Sequence, residues 1–317
     1  MLPDVSLLHT TLTALQDGQR VCVVGSANAD LTVRVSDLPT PGQTVAGGPL
    51  TILPGGKSSN QAASAARLGS DVALIGAVGA DPNGQVLKEA LVDAGVDISA
   101  LAEVEVPTGT AVILVEDSAE NVIVISAGAN GEVGAGNVGK HSSVIAEAGV
   151  LGLCLEIPMD GILKAARTAK SAGVPVAFNL SPIMEVPDEL LECVDVLIVN
   201  EHELAALVGD LEPAPGGEEL ARRYGIGATV VTLGAEGSVI VRDGEVDRIA
   251  PTPTNVVDST GCGDSYMGTL LAGIAAGVDL ADAARLASAV AAYAASGEGA
   301  QASYGSAEQI GKFLDQH

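Results

Sequence analysis

Between residues 150 and 234 the chain repeats one pattern. A short, largely β-branched apolar run is followed by a stretch of helical period. The runs are VLGLCLEI (150–157), VPVAFNL (174–180), DVLIVN (195–200) and ATVVTLG (228–234), and the stretches between them include DGILKAARTAKSAG, NEHELAALVG and EELARRYG. Runs without polar alternation suit strands buried on both faces. Strands alternating with helices require crossover connections, so the sheet is mainly parallel and the class α/β. VCVVGS (21–26) and DVALIGAVG (71–79) extend the pattern toward the start, and SSNQAASAARLG and GQVLKEALVDAG read as helices. No internal repeat or second composition appears, so residues 1–317 read as one domain.

Two early regions break the pattern. LTVRVSDLP and GQTVAGGPLTIL mix polar and apolar residues and read as exposed strands standing off the main sheet. TAVILVED and NVIVIS flank SAE as a hairpin. Together, residues of about 31–53 and 108–126 form a small lid sheet. LEPAPGGEE reads as a surface loop, and residues 1–19 as a polar-rich leader with at most one short helix.

Composition narrows the function. Aromatic residues are 2% of the chain and tryptophan is absent, which argues against a surface that stacks nucleobases. A formal net charge of -25 repels nucleic acid and anionic membrane alike, so an anionic substrate must be held by local devices. The most apolar long stretch, 269–296, is interrupted by Asp279, Asp282 and Arg285 and reads as buried helices. Cys22, Cys154, Cys193 and Cys262 show no paired spacing; with no signal-peptide pattern, the cytoplasm is expected.

In an open parallel sheet, ligands bind beyond the carboxyl ends of the strands. Several polar clusters fall there: GSANAD, CLEIP, FNLSP, IVNEHE and TLGAEG. GAGNVGK (134–140) matches a phosphate-loop spacing but is followed by His141 and preceded by turn residues, so it reads as chance. In PGGKSSNQA, Lys57 and Asn60 lie three apart on one helical face; the plain alternative is a turn capped by Ser58 or Ser59. In NEHE, Asn200 and Glu203 can face a hydrated magnesium ion, although taken alone the pattern reads as an acidic helix start, with His202 a bystander.

DSTGCGD (258–264) is the most telling stretch. Small residues at a helix start let the N–H groups of Gly261, Cys262 and Gly263 converge on an anion. Asp264, beside that anion, would compete with it as a cap but serves well as a general base in phosphoryl transfer.

GSANAD, DLPTPGQTV, PGGKSSNQAA, VNEHE, VTLGAEG and DSTGCGD occur in an order and spacing that resembles the ribokinase family of sugar kinases, over roughly residues 21–315. The resemblance implies a three-layer α/β sandwich with a β-sheet lid, ATP as phosphoryl donor, Mg²⁺, and a homodimer through the lid. It implies D-ribose as acceptor, giving ribose 5-phosphate; a sister kinase for a nucleoside or fructose, or a silent sugar-binding regulator, are the alternatives. By the same resemblance, Asp264 is the base and Gly261, Cys262 and Gly263 the anion hole. Asn28, Asp30, Gly56, Lys57, Asn60 and Glu156 contact the sugar. Thr232, Gly234 and Gly237 lie at the nucleotide, and Asn200 and Glu203 serve magnesium and phosphate. Asp258, Thr260, Ala294, Gly299 and Ser303 surround a monovalent cation, for which K⁺ suits a cage of carbonyls. Two departures, Ser58 for the usual Gly and Cys262 for the usual Ala, leave the neighbouring roles in place.

Overall fold

The structure, a computed structural model, describes residues 5–116 and 121–316. Its strands are β1 (Val21–Val24), β2 (Asn28–Val35), β3 (Thr51–Gly55), β4 (Val72–Gly79), β5 (Val96–Asp97), β6 (Leu101–Val104), β7 (Gly109–Glu116), β8 (Asn121–Ser126), β9 (Val150–Leu153), β10 (Val176–Asn179), β11 (Val196–Asn200), β12 (Ala228–Thr232), β13 (Ser238–Arg242) and β14 (Glu245–Ile249). Its α-helices are α1 (Val5–Ala14), α2 (Lys57–Arg67), α3 (Pro82–Ala94), α4 (Ala135–Lys140), α5 (Ser142–Ala146), α6 (Met159–Ala172), α7 (Asp188–Leu191), α8 (Glu201–Val208), α9 (Pro213–Tyr224), α10 (Cys262–Ala275), α11 (Leu280–Ala295) and α12 (Ala307–Leu314).

The large sheet runs β14-β13-β12-β11-β10-β9-β1-β4-β5, with β6 also on β4. It is parallel from β12 to β5; only β13 and β14 join antiparallel. Successive strand residues point to opposite faces. Val21 and Val23 therefore join a core with α1, α2, α10, α11 and α12, whereas Cys22 and Val24 join a second core with α4 to α9. These are the three layers that the resemblance implied, with the sheet buried on both faces as the apolar runs predicted. Among the described residues, no helix is long and apolar enough to cross a membrane.

A separate four-stranded sheet, ordered β3-β2-β7-β8, stands off this body. Its β7–β8 pair is antiparallel, as expected, and the SAE turn lies outside the described residues. The expected strand is narrower on the other side. Residues 36–50 hold no strand, because Pro39, Pro41 and Pro49 remove backbone donors and Gly42, Gly47 and Gly48 offer no side chain to pack.

Two further expectations are corrected. The short helix expected in residues 1–19 is α1, but it belongs to the core and not to a leader: Leu8 and Leu12, four apart, are buried with Leu15 against α11 and α12. Leu8→Ala would cost about 2–5 kcal/mol. LEPAPGGEE is not a loop, since Pro213 opens α9, where a first-turn proline forfeits no helical bond. Gly217 is packed so closely that a Cβ would stand 2.6 Å from Val241 Cβ. GAGNVGK follows a 3-10 turn (Gly128–Glu132) rather than a strand, which removes the phosphate-loop reading.

Candidate active site

The carboxyl ends of β1, β9, β10, β11 and β12 and the starts of α2 and α10 meet under the lid. Two positions explain how closely. Gly261, the residue before α10, has φ +75, and a Cβ there would stand 2.6 Å from Ala300 Cβ. Gly268, one turn into α10, faces α2, where a Cβ would lie 2.5 Å from Gln61 O. Gly268 lets α10 cross α2 nearly backbone to backbone, Gly261 lets the turn after α11 close on the start of α10, and Asp264 is delivered to the first turn of α2.

There the Asp264 carboxylate, 8% exposed, accepts from Asn60 Nδ2 at 2.9 Å and from Gln61 Nε2 at 3.2 Å. Burial raises its pKa; Lys57 and the two amides pull it back down, and Glu156 raises it further. A carboxylate held somewhat above its usual range is a better proton acceptor near neutrality. Burial acts to lower Lys57, but Asp264 and Glu156 outweigh it and the ammonium is firmly charged. Asp30 is raised to about 7, first by burial and then by Glu156 and Asp264. Lys57 thus answers Asp264 and Glu156, and the same two carboxylates act on Asp30.

Glu156 Oε2 accepts from Ser26 Oγ at 2.6 Å and from Lys57 N at 3.0 Å. Asn28 Oδ1 accepts from Asn130 Nδ2 at 2.7 Å, and Asn130 Oδ1 accepts from Ala27 N at 3.0 Å. Asn130 therefore turns the Asn28 amide so that its NH₂ end is available to a ligand. A cavity of about 380 Å³, lined by Asn28, Glu156, Asn130 and the lid residue Ile125 among others, opens beside this group. Gly56, with φ +91, precedes α2 without a side-chain cap; Ser59 Oγ donates back to Gly56 O, and Ser58 Oγ contacts Cys154 Sγ, so neither serine caps the helix.

The α10 terminus differs in one respect from expectation. Cys262 N donates to Ser259 O at 3.2 Å, which leaves the Gly261 and Gly263 amides, two rather than three, without a backbone partner among the described residues. Burial, then Asp258 and Asp264, push the Cys262 thiol to about 11, so it adds no charge beside an anion. Tyr304 Oη donates to Gly261 O at 2.8 Å.

Asn200 and Thr232 are register partners at the ends of β11 and β12. Asn200 and Glu203 form a reciprocal capping box, each side chain accepting from the other's backbone N–H at 2.8 Å. The helix-start reading is thus realised, and Glu203 retains a second carboxylate oxygen. Gly234 and Gly237 bracket a 3-10 turn after β12, with open space where a Cβ of Gly234 would stand.

Asp258 Oδ1 accepts from Thr260 N and Oγ1 at 2.9 and 2.7 Å, and Oδ2 accepts from Gly299 N at 2.9 Å. The Ala294 carbonyl receives Gly297 N, and Ser303 Oγ donates to Ala300 O. The cap of α12 is Ser306, paired with Gln309, and not Ser303. Among the described residues no three acidic, His or Cys side chains cluster as a metal cage.

Sequence reasoning missed Gln61, Asn130, Gln301 and Tyr304. Gln61 offered one signal, a long polar side chain amid the small residues of α2. The others lie far along the chain from the groups they hold.

A family model described as pfkB family carbohydrate kinase matches residues 19–306. A ribokinase of Haemophilus influenzae is 34% identical over 298 residues, 92% of this chain and 97% of that protein. Among solved structures, a ribokinase of Thermotoga maritima superposes with a TM-score of 0.88 at 28% identity, covering 94% of this chain and 99% of its own. A ribokinase of Arabidopsis thaliana complexed with ribose and ATP superposes at 0.87 with 30% identity, covering 94% and 99%.

Proposed function

The chain belongs to the pfkB family of carbohydrate kinases, and from that premise we propose that it transfers the γ-phosphoryl group of ATP to D-ribose, giving ribose 5-phosphate and ADP. One observation carries the reading: a buried carboxylate, Asp264, is held by two amides, attracted by Lys57, and set beside open N–H groups at the start of α10.

Asp264 takes the proton of the attacking sugar hydroxyl as the oxygen–phosphorus bond forms. The amides of Gly261 and Gly263, with the positive end of α10, face the charge on the transferring group. Asn28, Asp30, Gly56, Lys57, Asn60 and Glu156 orient the sugar; all but the glycine offer polar side chains, which suits a small polyol. Thr232, Gly234 and Gly237 receive the nucleotide on the neighbouring strand end. The relatives named ribokinase, one of them complexed with ribose and ATP, support this pairing of substrates.

The residues fit two ions. Glu203 keeps one carboxylate oxygen beyond its capping bond, so Asn200 and Glu203 would hold Mg²⁺ through its waters. Magnesium held there would supply positive charge to offset that of the phosphates. For a monovalent cation such as K⁺, both carboxylate oxygens of Asp258 are already engaged. Carbonyls of Asp258, Thr260, Ala294 and Gly299, with the Ser303 oxygen, would therefore form the cage. A homodimer through the lid is supported by its exposed apolar strand, where Ile123 is 52% and Val124 63% exposed.

A coupled ADP-release assay with D-ribose, D-fructose and adenosine tests the reading. D-Ribose should have the highest kcat/KM. Preference for adenosine or fructose would reassign the acceptor, and no turnover with any sugar would leave a sugar-binding protein.

A further inference from the structure

We propose that Gln301 is a positioning residue of the phosphoryl transfer: it fixes the Asn60 amide in the one orientation that donates to Asp264, so that the turn before α12 holds the carboxylate toward the acceptor hydroxyl. The inference rests on the reading of Asp264 as general base.

An asparagine amide has two ends of similar shape and opposite polarity, and its neighbours decide which way it points. Asn60 Oδ1 accepts from Gln301 Nε2 at 3.0 Å, and Asn60 Nδ2 donates to Asp264 Oδ2 at 2.9 Å. Gln301 is itself determined. Its Nε2 also donates to Ser59 Oγ at 3.2 Å, and that hydroxyl gives its own proton to the carbonyls ahead of α2. Gln301 therefore faces two acceptors, and only its NH₂ end satisfies both. All three side chains are at most 5% exposed, so no solvent competes.

The other carboxylate oxygen is held in the same manner. Gln61 Nε2 donates to Asp264 Oδ1 at 3.2 Å and to Asn179 Oδ1 at 3.5 Å, while Gln61 Oε1 is buried without a partner. Turning that amide over would set its oxygen against two others. The clamp is thus directional at both ends, and an unpaired buried oxygen is the penalty tolerated for it.

The other titratable groups facing Asp264 are Lys57 on α2, Glu156 after β9, Asp30 on β2, Cys262 on α10 and the Tyr304 hydroxyl. Of these, Lys57 favours the ionised carboxylate, and Glu156 and Asp30 oppose it. The turn carrying Gln301 touches the same region twice more, through Gly299 N to Asp258 and through Tyr304 Oη to Gly261 O. Gln301 is the member of that turn whose contact leads to the carboxylate itself.

Gln301→Met keeps the length and removes the amide, so Asn60 Oδ1 loses its partner and the amide is free to turn its oxygen toward Asp264. The full-length variant would be compared with wild type for kcat and KM against pH, with ribose binding followed by calorimetry. The expected result is a kcat lower by roughly 10–100-fold, the scale of a misplaced reacting group, with ribose affinity little changed and the acid limb of kcat/KM moved to higher pH. On an Asp264→Asn background the same substitution should change the residual rate little. A fall in kcat with an unmoved acid limb, or wild-type kinetics, would overturn the proposal. If Gln301→Met does not fold, Gln301→Glu, which keeps the size but presents an acceptor to Asn60 Oδ1, replaces it under the same criteria. Near-full turnover of Asp264→Asn alone would instead remove the general base, a failure distinct from that of Gln301.

Discussion

The Asp258 carboxylate and the Gly299 amide are joined at 2.9 Å across 41 positions of the chain. This bond ties the loop that enters α10 to the loop that leaves α11. The same two loops carry Asp258, Thr260 and Gly299, whose carbonyls are proposed above to face a monovalent cation. Burial acts to raise Asp258, but bonds from Thr260 and Gly299 outweigh it and hold the carboxyl below its usual range. Asp258→Asn would lose the acceptor for one of those donors and loosen both loops. Chloride salts of K⁺, Na⁺ and tetramethylammonium, compared at fixed ionic strength, should give the highest wild-type rate in K⁺, and the variant should lose most of that gain. Equal rates in the three salts would remove the cation from the reading.

Asp264→Asn keeps the size of the side chain and removes the base. The rate should fall by roughly 10²–10⁴-fold, the usual contribution of general-base catalysis. Ribose binding by calorimetry should change far less. Because Asn60 and Gln61 both donate toward position 264, the new amide must turn its NH₂ end against one of them, and a modest loss of thermal stability should accompany the loss of rate.

Glu203→Gln preserves the capping box, since glutamine also accepts from the backbone N–H of Asn200. Thermal stability should therefore be nearly unchanged. The Mg²⁺ concentration for half-maximal activity should rise, because the charge facing the ion's waters is gone. An unchanged magnesium titration would mean that Asn200 and Glu203 serve the helix alone.

Gly263 is exposed at the second position of α10, and a Cβ there meets nothing within 4 Å. Gly263→Ala should fold at least as well as wild type, by up to about 1 kcal/mol from reduced unfolded-state entropy. Its added methyl occupies the space where a phosphoryl group would meet the amides. A fall in kcat/KM for ATP toward the roughly 10²–10³-fold cost of a lost anion-hole donor is expected. Normal ATP kinetics would locate the phosphates elsewhere.

The carboxylate at Asp30 makes stability depend on pH. Its folded pKa of about 7 stands above the ordinary 3.8, so the unfolded chain ionises first. The contribution to stability is full below the lower value and is lost as pH rises through the upper one. Asp264 is shifted in the same direction. Thermal melting of the sugar-free protein should therefore fall between about pH 4 and pH 7 from these groups, and Asp30→Asn should flatten part of that slope. An identical slope in the variant would mean that Asp30 is solvated.

Much of this was legible before the structure. Continuous apolar runs such as VCVV and DVLIVN suited strands covered on both faces, and the sheet they form lies between two helical cores. Small residues at 261–263 beside Asp264 announced a helix start, and α10 begins at Cys262. What stayed hidden was set by tertiary contact. The region of α1 looked polar because its buried leucines are only Leu8 and Leu12, with Leu15 in the turn that follows. The start of α9 looked like a loop because Pro213, Gly216 and Gly217 are poor helix residues; Gly217 packs on β13 and Gly216 on α8. Gln301 carries no local signal at all, since its role exists only once Asn60, 241 positions earlier, is beside it.

That separation bears on synthesis. The bonds that complete the site join residues 130, 204 and 241 positions apart. A chain leaving the ribosome holds Asn28, Lys57 and Glu156 early, but Asn60 gains its Asp264 and Gln301 partners only once the segment through Tyr304 has emerged and packed. Contacts of such long range form late. On the reading proposed above, sugar affinity is therefore a readout of finished folding: a chain clipped or stalled before that segment keeps Asn28, Lys57 and Glu156 but lacks the Gln301 bond that holds Asn60.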